Sequence, residues 1–298
     1  MGDEAGSVAC VVVTHDALPW IERCLESVAG IDTVVVDNGS TDETVAVVRD
    51  RFPTVRVLED ENRGLAAGWN RGIAETAAEH VLVLNADAWL VENALARLVD
   101  AADRHPRAAL VAPRLLNTDG SLQRSVRGFP TAWRLATEYL YLRKLAPRSR
   151  ALNAFYGAGF DHASEREVDW VMGACMLVRR AAFDEVGPFD ERYFLFSEEV
   201  DWMRRAADRD RSVVFTPEAR CVHVGGASHG GRLFRENVRG NLRYLSLHGR
   251  PGEAERVRRM LRASLLVRAT IHRGDRGRMY RDAAQWLGSG GVDTLLAE

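Results

Sequence analysis

The sequence predicts an α/β protein with a doubly wound, mostly parallel sheet and a helical C-terminal extension. Strand-like and helix-like runs alternate through the first half of the chain, which is typical of a parallel sheet covered by helices. Several strands end in polar residues, as expected where a sheet of this class binds its ligand. At 298 residues the chain is long enough to bury a large core.

The predicted elements follow one another at ordinary spacing. In the first half, strands are expected at 8–14, 33–37, 55–58, 81–85 and 109–112, with helices at 19–29, 42–51, 66–78 and 92–104. An irregular stretch at 115–169 precedes further strands at 171–178 and 212–216 and a helix at 198–207.

Residues 232–281 are predicted to be helical and contain fourteen arginines against four acidic residues. Val257, Leu261 and Leu265 approximate an apolar stripe at helical spacing. The arginines predict either contact with anionic lipid or a solvated helical face that packs on the rest of the chain or on a second copy in a homodimer. The tail after Gly288 is expected to be loose.

The composition is that of an ordinary soluble globular protein, with 46% hydrophobic and 28% charged residues. The net charge of -2 argues against a nucleic-acid partner. The four cysteines form no Cys-x-x-Cys pair and are expected to be buried, reduced thiols of a cytoplasmic protein. The acidic N-terminus does not resemble a signal peptide, and no apolar run approaches the ~20 residues that a membrane span needs. The chain is therefore expected to be cytoplasmic, at most peripheral at the inner face of the cell membrane.

A strand, a turn and a helix start follow one another in residues 34–43. Asp37 ends the strand, Asn38-Gly39 is turn chemistry, and Ser40 and Glu43 have the spacing of a capping box. A carboxylate at this place can accept hydrogen bonds from a nucleoside, or it can simply form the turn. This segment alone leaves both interpretations open.

A second polar strand end is Asn85-Ala86-Asp87. An acid there suits a divalent cation that completes its shell with water and substrate phosphates, although a single Asp is more often a strand-end cap. His223, on a predicted short strand before Gly225-Gly226, is a candidate further ligand. The alternative is an ordinary hydrogen-bonded histidine.

The helix at 198–207 begins with two acids after an aromatic run. Ser197 is expected to cap the helix, which places Glu198 and Glu199 in the first turn. Acids are common in that position for stability alone, but a carboxylate at a pocket wall can also act as a general base toward a hydroxyl.

Closely spaced glycines open the predicted helix after residue 62, where backbone can approach a phosphate. The spacing is neither GxGxxG nor GxxxxGK[ST]. Both absences argue against a dehydrogenase and against a nucleotide hydrolase.

Taken in order, these segments closely resemble the inverting glycosyltransferases of family 2, which have the GT-A fold. The matching segments span about residues 8–230 and read VVVTH, DNGSTD, NRG, LNAD, WVMGA, FDE, FSEEVDW and HVGGAS. Within the family the chain is most similar to bacterial rhamnosyltransferases of polysaccharide and cell-wall assembly, to which the segment Gly120–Ser125 contributes. The resemblance implies a GT-A catalytic domain at 1–230, with a nucleotide-sugar half at about 1–115 and an acceptor half at about 116–230, and a helical extension at 231–298.

The resemblance also implies roles for individual residues. Donor contacts are implied for Thr14, His15, Asp37, Asn38, Gly64, Asn70, Asn85, Ala86 and Asp87, and acceptor contacts for Trp170, Gly173, Ala174 and Trp202. Asp87 and His223 would hold Mg²⁺ or Mn²⁺, and Glu199, with Glu198 beside it, would be the catalytic base. The family often has Glu-Asp where this chain has Glu-Glu, and its DxD-like position supplies only one acid here.

The implied reaction is transfer of a sugar, with inversion, to a hydroxyl of a glycan or a lipid-linked saccharide. The expected donor is dTDP-L-rhamnose. The alternatives are a UDP-hexose or UDP-N-acetylhexosamine donor and, from a different class, a catalytically inactive carbohydrate-binding relative.

Overall fold

The first four strands of the chain fold as the sequence predicts. The computed structural model of the protein describes residues 7–146, 148–225 and 231–297. Its first strands are β1 (Val8–Thr14), β2 (Asp32–Asn38), β3 (Arg56–Asp60) and β4 (His80–Asn85), and the helices between them are α1 (Ile21–Glu26), α2 (Thr44–Arg51) and α3 (Leu65–Ala74). Pairing between β3, β2, β1 and β4 is parallel throughout.

The later elements complete the sheet and cover it. The strands are β5 (Ala88–Leu90), β6 (Ala108–Leu116), β7 (Val126–Arg127), β8 (Arg166–Val168), β9 (Trp170–Val171), β10 (Cys175–Arg179) and β11 (Ser212–His223). The helices are α4 (Ala94–Arg104), α5 (Ala132–Tyr139), α6 (Arg180–Val186), α7 (Glu198–Ala207), α8 (Gly231–His248), α9 (Glu253–Ile271), α10 (Gly274–Trp286) and α11 (Val292–Ala297).

Within the described residues, the central sheet has nine strands in the order β3-β2-β1-β4-β10-β6-β11-β5, with β8 beside β11. Strand β10 runs antiparallel between β4 and β6, and β11 runs parallel to β6. The sheet is therefore mixed and mostly parallel, and the predicted fold class is confirmed. The strand expected at 171–178 is interrupted between β9 and β10, and the interruption contains Gly173.

The core is apolar, as the β-branched strands predict. Residues 34–36 of β2 are fully buried, and the valines of β1 that pair with them are also buried. All four cysteines are buried and free, as expected. Burial raises the pKa of the Cys10 thiol, which keeps it protonated.

Two compact units interleave along the chain. The first contains the central sheet and comprises residues 7–126, 161–194 and 198–225. The second comprises residues 127–160 and 195–197 together with the described residues from 231 onwards. The sequence predicted one boundary near residue 230, which lies outside the described residues.

The second unit is helical, and its C-terminal end is ordered by packing. Val257, Leu261 and Leu265 of α9 are buried as their spacing predicts. Leu295 of α11 is also fully buried, and the Arg239 side chain donates to its carbonyl over 3.0 Å. The expectation of a loose tail after Gly288 is therefore wrong, because α11 is too short to stand out in the sequence. Within the described part of the chain, no helix has the length and apolar character to cross a membrane.

Candidate active site

Polar residues from three neighbouring strands meet at one edge of the sheet. Thr14 of β1 pairs with Asp37 of β2, and Val13 pairs with Asn85 of β4. Because β10 is antiparallel to β4, the chain enters β10 at this same edge, where the Asn85 N–H donates to the Ala174 carbonyl over 3.0 Å. The sheet topology therefore brings three predicted donor-side residues together beside the segment at 172–174.

Asp37 is buried and bonded to its own turn. One carboxylate oxygen accepts from the Ser40 backbone N–H over 2.9 Å, and the other accepts from the Ser40 hydroxyl. The turn-forming interpretation is thus realised, while a carboxylate retains further lone pairs for a ligand. The expected capping box is not formed, because Ser40 is used in this turn and α2 begins only at Thr44.

The loop after β1 is tied to the same turn. Asp16, which has a φ of 50°, accepts from the backbone N–H groups of Thr41 at 2.7 Å and Asp42 at 3.2 Å. The Thr41 N–H is the main reason why the pKa of Asp16 lies below its ordinary value. His15, predicted as a donor contact, is half-exposed beside this loop. Sequence reasoning missed the structural role of Asp16.

Two buried polar atoms at this edge have no hydrogen-bond partner within the described residues. They are the hydroxyl oxygen of Thr14 and the side-chain carbonyl oxygen of Asn85. A buried polar atom left without a partner costs about 1–3 kcal/mol. Two such atoms on adjacent strands mark this edge as a place for a polar ligand.

Helix α3 begins against the segment that precedes α7. Gly64 has a φ of 98°, and a Cβ there would lie 2.4 Å from the carbonyl oxygen of Phe194. The Leu65 N–H donates to that carbonyl over 2.9 Å, and the Asn38 side chain donates to the Gly64 carbonyl over 3.0 Å. Gly64 and Asn38 therefore hold the start of α3 against Phe194. Glycine is required at residue 64 because of its positive φ and because a Cβ there would clash with Phe194.

Asn70, another predicted donor contact, anchors a loop. Its amide nitrogen donates to the Phe189 carbonyl and its amide oxygen accepts from the Phe189 N–H, each over 2.9 Å. The nitrogen also donates to Glu191 over 3.1 Å. Both polar ends of the side chain are engaged in positioning this loop, and its donor contact stays a prediction.

Asp87 and His223 face each other at the end of β11. The distance from His223 Nε2 to Asp87 Oδ1 is 3.4 Å, and the Gly225 N–H donates to Asp87 Oδ2 over 3.2 Å. Burial acts to raise the pKa of Asp87, but His223 and the Gly225 N–H outweigh it, and the net pKa lies below its ordinary value. Asp87 is therefore an anion in a largely buried place. The second residue of the expected glycine pair, Gly226, lies outside the described residues.

These two residues fit a divalent cation that takes its other ligands from a bound diphosphate. A carboxylate and an imidazole nitrogen are both ordinary ligands for Mn²⁺, and the carboxylate alone suits Mg²⁺. Within the described residues, no group of three or more His, Cys, Asp or Glu side chains is placed to hold a metal by itself. Asn85 lies two residues before Asp87, and Thr14 lies on β1, which pairs with the strand of Asn85; the side-chain oxygens of both have no partner among the described residues.

Glu198 and Glu199 begin α7 in different environments. Glu198 is 2% exposed, and its Oε2 has no partner among the described residues. Burial, and then the charge of Glu199, raise the pKa of Glu198 well above its ordinary range. Glu199 is half-buried and is therefore the more exposed member of the pair. Ser197 has a φ of 76°, which differs from the extended backbone of a capping serine.

Gly173 lies against Glu199. A Cβ at residue 173 would be 3.6 Å from the Cβ of Glu199 and 2.7 Å from Cη2 of Trp69. Trp69 is fully buried and its indole nitrogen has no partner among the described residues. Trp69 was not identified from the sequence, where it is one apolar residue of a helical pattern.

The aromatic residues predicted to contact an acceptor are buried. Trp202 is 0% exposed, packs against Phe183 and Phe189, and donates its indole N–H to the Gly187 carbonyl over 2.8 Å. Its helix position faces the core, and its acceptor contact stays a prediction. Trp170, Gly173 and Ala174 are also buried, so their acceptor contacts stay predictions.

Comparison with known proteins agrees with this geometry. The family model for glycosyl transferase family 2 matches residues 9–187. The N-acetylglucosaminyl-diphospho-decaprenol L-rhamnosyltransferase of Mycobacterium tuberculosis is 34% identical over 237 residues, which cover 74% of this chain and 76% of that protein. The chain belongs to glycosyltransferase family 2 and is a glycosyltransferase.

Solved structures show the same fold at low sequence identity. GalNAc-T7, in a crystal structure with UDP, GalNAc and Mn²⁺, has a TM-score of 0.62 and 13% identity, covering 94% of this chain. This chain spans 55% of that one, or about half of its length. The mannosyltransferase PcManGT of Pyrobaculum calidifontis, in complex with GDP-Man and Mn²⁺, has a TM-score of 0.56 and 17% identity, covering 98% of this chain and 83% of that one. Both are glycosyltransferases, and the resemblance supports the GT-A fold.

Proposed function

We propose that this protein transfers L-rhamnose from dTDP-L-rhamnose to a hydroxyl of a lipid-linked saccharide, with inversion at the anomeric carbon. The observation that carries the chemistry is the placement of Glu199. It is a half-buried carboxylate beside Gly173. The next residue after Gly173, Ala174, accepts a backbone hydrogen bond from Asn85 at the donor edge. The choice of rhamnose and of a lipid-linked acceptor is supported by the mycobacterial relative, whose name gives both.

The donor edge is suited to a nucleoside diphosphate sugar. Thr14 and Asn85 supply buried oxygens that lack partners among the described residues, and Asp37 supplies a buried carboxylate. Asp87 and His223 would hold the divalent cation. When bound, such a cation neutralises charge that develops on the departing diphosphate.

Glu199 performs the proton transfer in this proposal. It accepts the proton of the acceptor hydroxyl as that oxygen attacks the anomeric carbon from the face opposite the diphosphate. The new bond forms as the bond between the sugar and the diphosphate oxygen breaks, which inverts the anomeric centre. Glu198 stays neutral because its pKa is raised by burial and by Glu199, so the pair presents one anionic carboxylate instead of two repelling ones.

The test is release of nucleoside diphosphate from a panel of donors with Mg²⁺ or Mn²⁺ and a lipid-linked N-acetylglucosamine acceptor. Turnover of dTDP-L-rhamnose is expected, with little turnover of UDP-hexoses or UDP-N-acetylhexosamines. Preferred turnover of a UDP-sugar would overturn the rhamnose assignment and leave the transferase chemistry intact. A thermal-shift comparison of dTDP with UDP is an independent readout, since the tighter ligand stabilises the fold more at equal concentration.

We also propose that the second unit contacts anionic lipid. Residues 232–281 carry a strong excess of arginine, and α9 exposes three large apolar side chains, Leu266, Val267 and Ile271. An exposed apolar face beside arginines is typical of helices that rest on a membrane surface. Such contact would bring the enzyme to an acceptor that is anchored in the same membrane.

A further inference from the structure

A glutamine from the turn after β6 contacts the histidine at the end of β11. His223 Nδ1 lies 2.8 Å from Gln123 Oε1, and Gln123 Nε2 donates to the His223 carbonyl over 3.1 Å. We infer that Gln123 is a positioning residue, which fixes His223 in the tautomer that carries its proton on Nδ1 and so presents the lone pair of Nε2 to a cation beside Asp87. This inference rests on the divalent-cation site of the proposed function.

The direction of the hydrogen bonds is set at the far end of the network. The Asp119 carboxylate accepts from the Ser121 hydroxyl over 2.6 Å and from the Ser121 N–H over 2.9 Å. Because the hydroxyl hydrogen is used there, the Ser121 oxygen is an acceptor for the Asn117 amide nitrogen at 2.8 Å. The nitrogen of Asn117 is thereby assigned, and its amide oxygen points the other way.

The same logic continues through Gln123. Its nitrogen donates to Asn117 Oδ1 over 3.0 Å as well as to the His223 carbonyl. The Asn117 amide oxygen and the His223 carbonyl can only accept hydrogen bonds, so a flipped Gln123 amide would set its oxygen against two acceptors. The amide oxygen must therefore face the imidazole ring, and the ring nitrogen in front of it must be the donor.

The turn that supports the network is well defined. Asn117 N–H donates to the Ser121 carbonyl over 2.8 Å, and Gly120, with a φ of 80°, donates to the Asn117 carbonyl over 2.9 Å. The backbone N–H of Gln123 donates to the Leu115 carbonyl of β6 over 2.9 Å. The amide is therefore held by the fold before any ligand binds.

The consequence appears on the other side of the ring. With Nδ1 as the donor, the neutral ring has its lone pair on Nε2, which faces the anionic Asp87 at 3.4 Å. Two electron-rich atoms at this separation are stable only with a cation or a proton between them. Outer hydrogen bonds of this kind orient the ligands of metal sites, and their loss weakens metal affinity by roughly 10–100-fold.

The experiment measures Mn²⁺ affinity by electron paramagnetic resonance in the presence of saturating dTDP. Gln123→Met keeps the length of the side chain and removes the acceptor, so it is expected to weaken Mn²⁺ binding by about 10–100-fold. Gln123→Glu keeps an acceptor toward Nδ1 but sets its second oxygen against Asn117 Oδ1 and the His223 carbonyl, so it is expected to recover only part of the affinity. Gln285→Met makes the same chemical change on the exposed surface of α10 and is expected to leave Mn²⁺ binding unchanged.

Parallel measurement of His223→Ala separates the two proposals. If His223→Ala weakens Mn²⁺ binding and Gln123→Met does not, the role of Gln123 is wrong and the cation site stands. If neither variant weakens binding, the cation site itself is wrong. If Gln123→Met does not fold, Asn117→Leu tests the same network, because it removes one of the two acceptors that orient the Gln123 amide and is expected to cause a smaller loss.

The tautomer provides a readout that is independent of metal. In the metal-free protein, the ¹⁵N spectrum of the imidazoles is expected to show Nδ1 of His223 protonated, because Gln123 Oε1 accepts from it whether or not Nε2 also carries a proton toward Asp87. The signal is assigned by its absence in His223→Ala. A neutral ring protonated on Nε2 in the wild type would overturn the inference.

Discussion

Glu198 and Glu199 are chemically identical neighbours that the fold places in different surroundings. The sequence alone left open which of them is the base. Burial separates them, because Glu198 is 2% exposed whereas Glu199 is half-buried beside Gly173. A base must reach its substrate and be ionised, and burial together with the charge of Glu199 raises the pKa of Glu198, which favours the neutral form of that residue.

At this scale we predict that Glu199→Gln lowers kcat by about 10²–10⁴-fold, the usual contribution of a general base. Glu198→Gln replaces a neutral acid by a neutral amide of the same shape, so activity is expected to stay within about tenfold of the wild type. Steady-state rates are measured with dTDP-L-rhamnose, and dTDP binding is measured by thermal shift to confirm an intact donor edge. Equal losses in the two variants would show that the two carboxylates act as one unit and would contradict this assignment.

Many of the residues that line the candidate site could be predicted from the sequence. Asp37, Asn85 and Asp87 end strands, and the parallel order β2-β1-β4 is sufficient to gather strand ends at one edge. The state of each side chain was not predictable. Trp202 is buried and Asn70 anchors a loop because of contacts made over long sequence separations. Gln123 stands in a recognisable segment, but its partner His223 is 100 residues away.

Among the elements, helix α3 shows how glycine permits close packing on a sheet. A Cβ at Gly72 would lie 2.3 Å from Cγ1 of Val11 and 3.2 Å from Cγ2 of Val36. Both valines are fully buried and branched at Cβ, so neither can turn aside at low cost. The helix therefore sits closer to β1 and β2 than any residue with a side chain would allow.

Gly72→Ala is expected to lower the free energy of unfolding by up to about 2 kcal/mol. Overpacking costs about 1–3 kcal/mol, and the better helix propensity of alanine offsets about 1 kcal/mol of this. Gly291→Ala is the matched control, since no described heavy atom lies within 4 Å of a Cβ there, and it is expected to be neutral or slightly stabilising. Urea unfolding of both variants measures the difference, and equal effects would mean that the α3 interface relaxes freely.

Helix α4 is joined by an ion-pair cluster to the segment before β8. Glu165 accepts from Arg104 over 2.7 Å and contacts Nε2 of His105 at 2.9 Å. Burial acts to raise the pKa of Glu165, but the Arg104 and His105 hydrogen bonds outweigh it and lower the pKa to about 2. A carboxyl with a lowered pKa in the folded state stabilises the protein above its ordinary pKa of 4.5, and this contribution is lost as the pH falls toward about 2.

We therefore expect Glu165→Gln to be less stable than the wild type at neutral pH, with the difference shrinking as the pH falls from about 5 to about 2.5. The free energy of unfolding in urea across this range measures it. Glu92→Gln, at an exposed residue, is expected to run parallel to the wild type. A difference for Glu165→Gln that stays constant with pH would show that the cluster contributes through packing and not through charge.

Most helices and strands could be predicted from the sequence. The elements that were missed depend on packing between distant parts of the chain. Strand β1 and helix α7 have the predicted bounds, because alternating patterns and polar boundaries are local signals. Helix α11 was missed, since the contacts that hold it come from distant parts of the chain. Leu295 is buried, and Arg239 and Arg243 of α8 donate to the carbonyls of Leu295 and Leu296. The break between β9 and β10 was also missed, because an apolar run gives no sign that Gly173 interrupts it.

For the whole molecule, charge is distributed unevenly along the chain. The net charge is -2, yet residues 232–281 carry fourteen arginines against four acidic residues. Some of these arginines are paired locally, as Arg258 and Arg259 are with Glu255. The four acids are too few to pair them all, so this segment remains strongly basic while the remainder of the chain is acidic. A uniform surface of the same net charge would have no preference for an anionic membrane.

We predict that the full chain co-sediments with vesicles containing anionic phospholipid at low ionic strength and not with neutral vesicles. Binding is expected to fall as salt rises toward about 0.5 M, because screening weakens charge attraction. Ile271→Ser and Val267→Ser change exposed apolar residues of α9 and are expected to weaken vesicle binding without lowering the melting temperature. Leu145→Ser, at an exposed apolar residue outside α9, is the control and is expected to leave vesicle binding unchanged. Light scattering in the absence of vesicles tests whether a second copy of the chain binds this face of α9 instead of lipid. A stable dimer that the α9 substitutions dissociate, together with no vesicle binding at low salt, would assign the face to a second copy of the chain and contradict the lipid proposal.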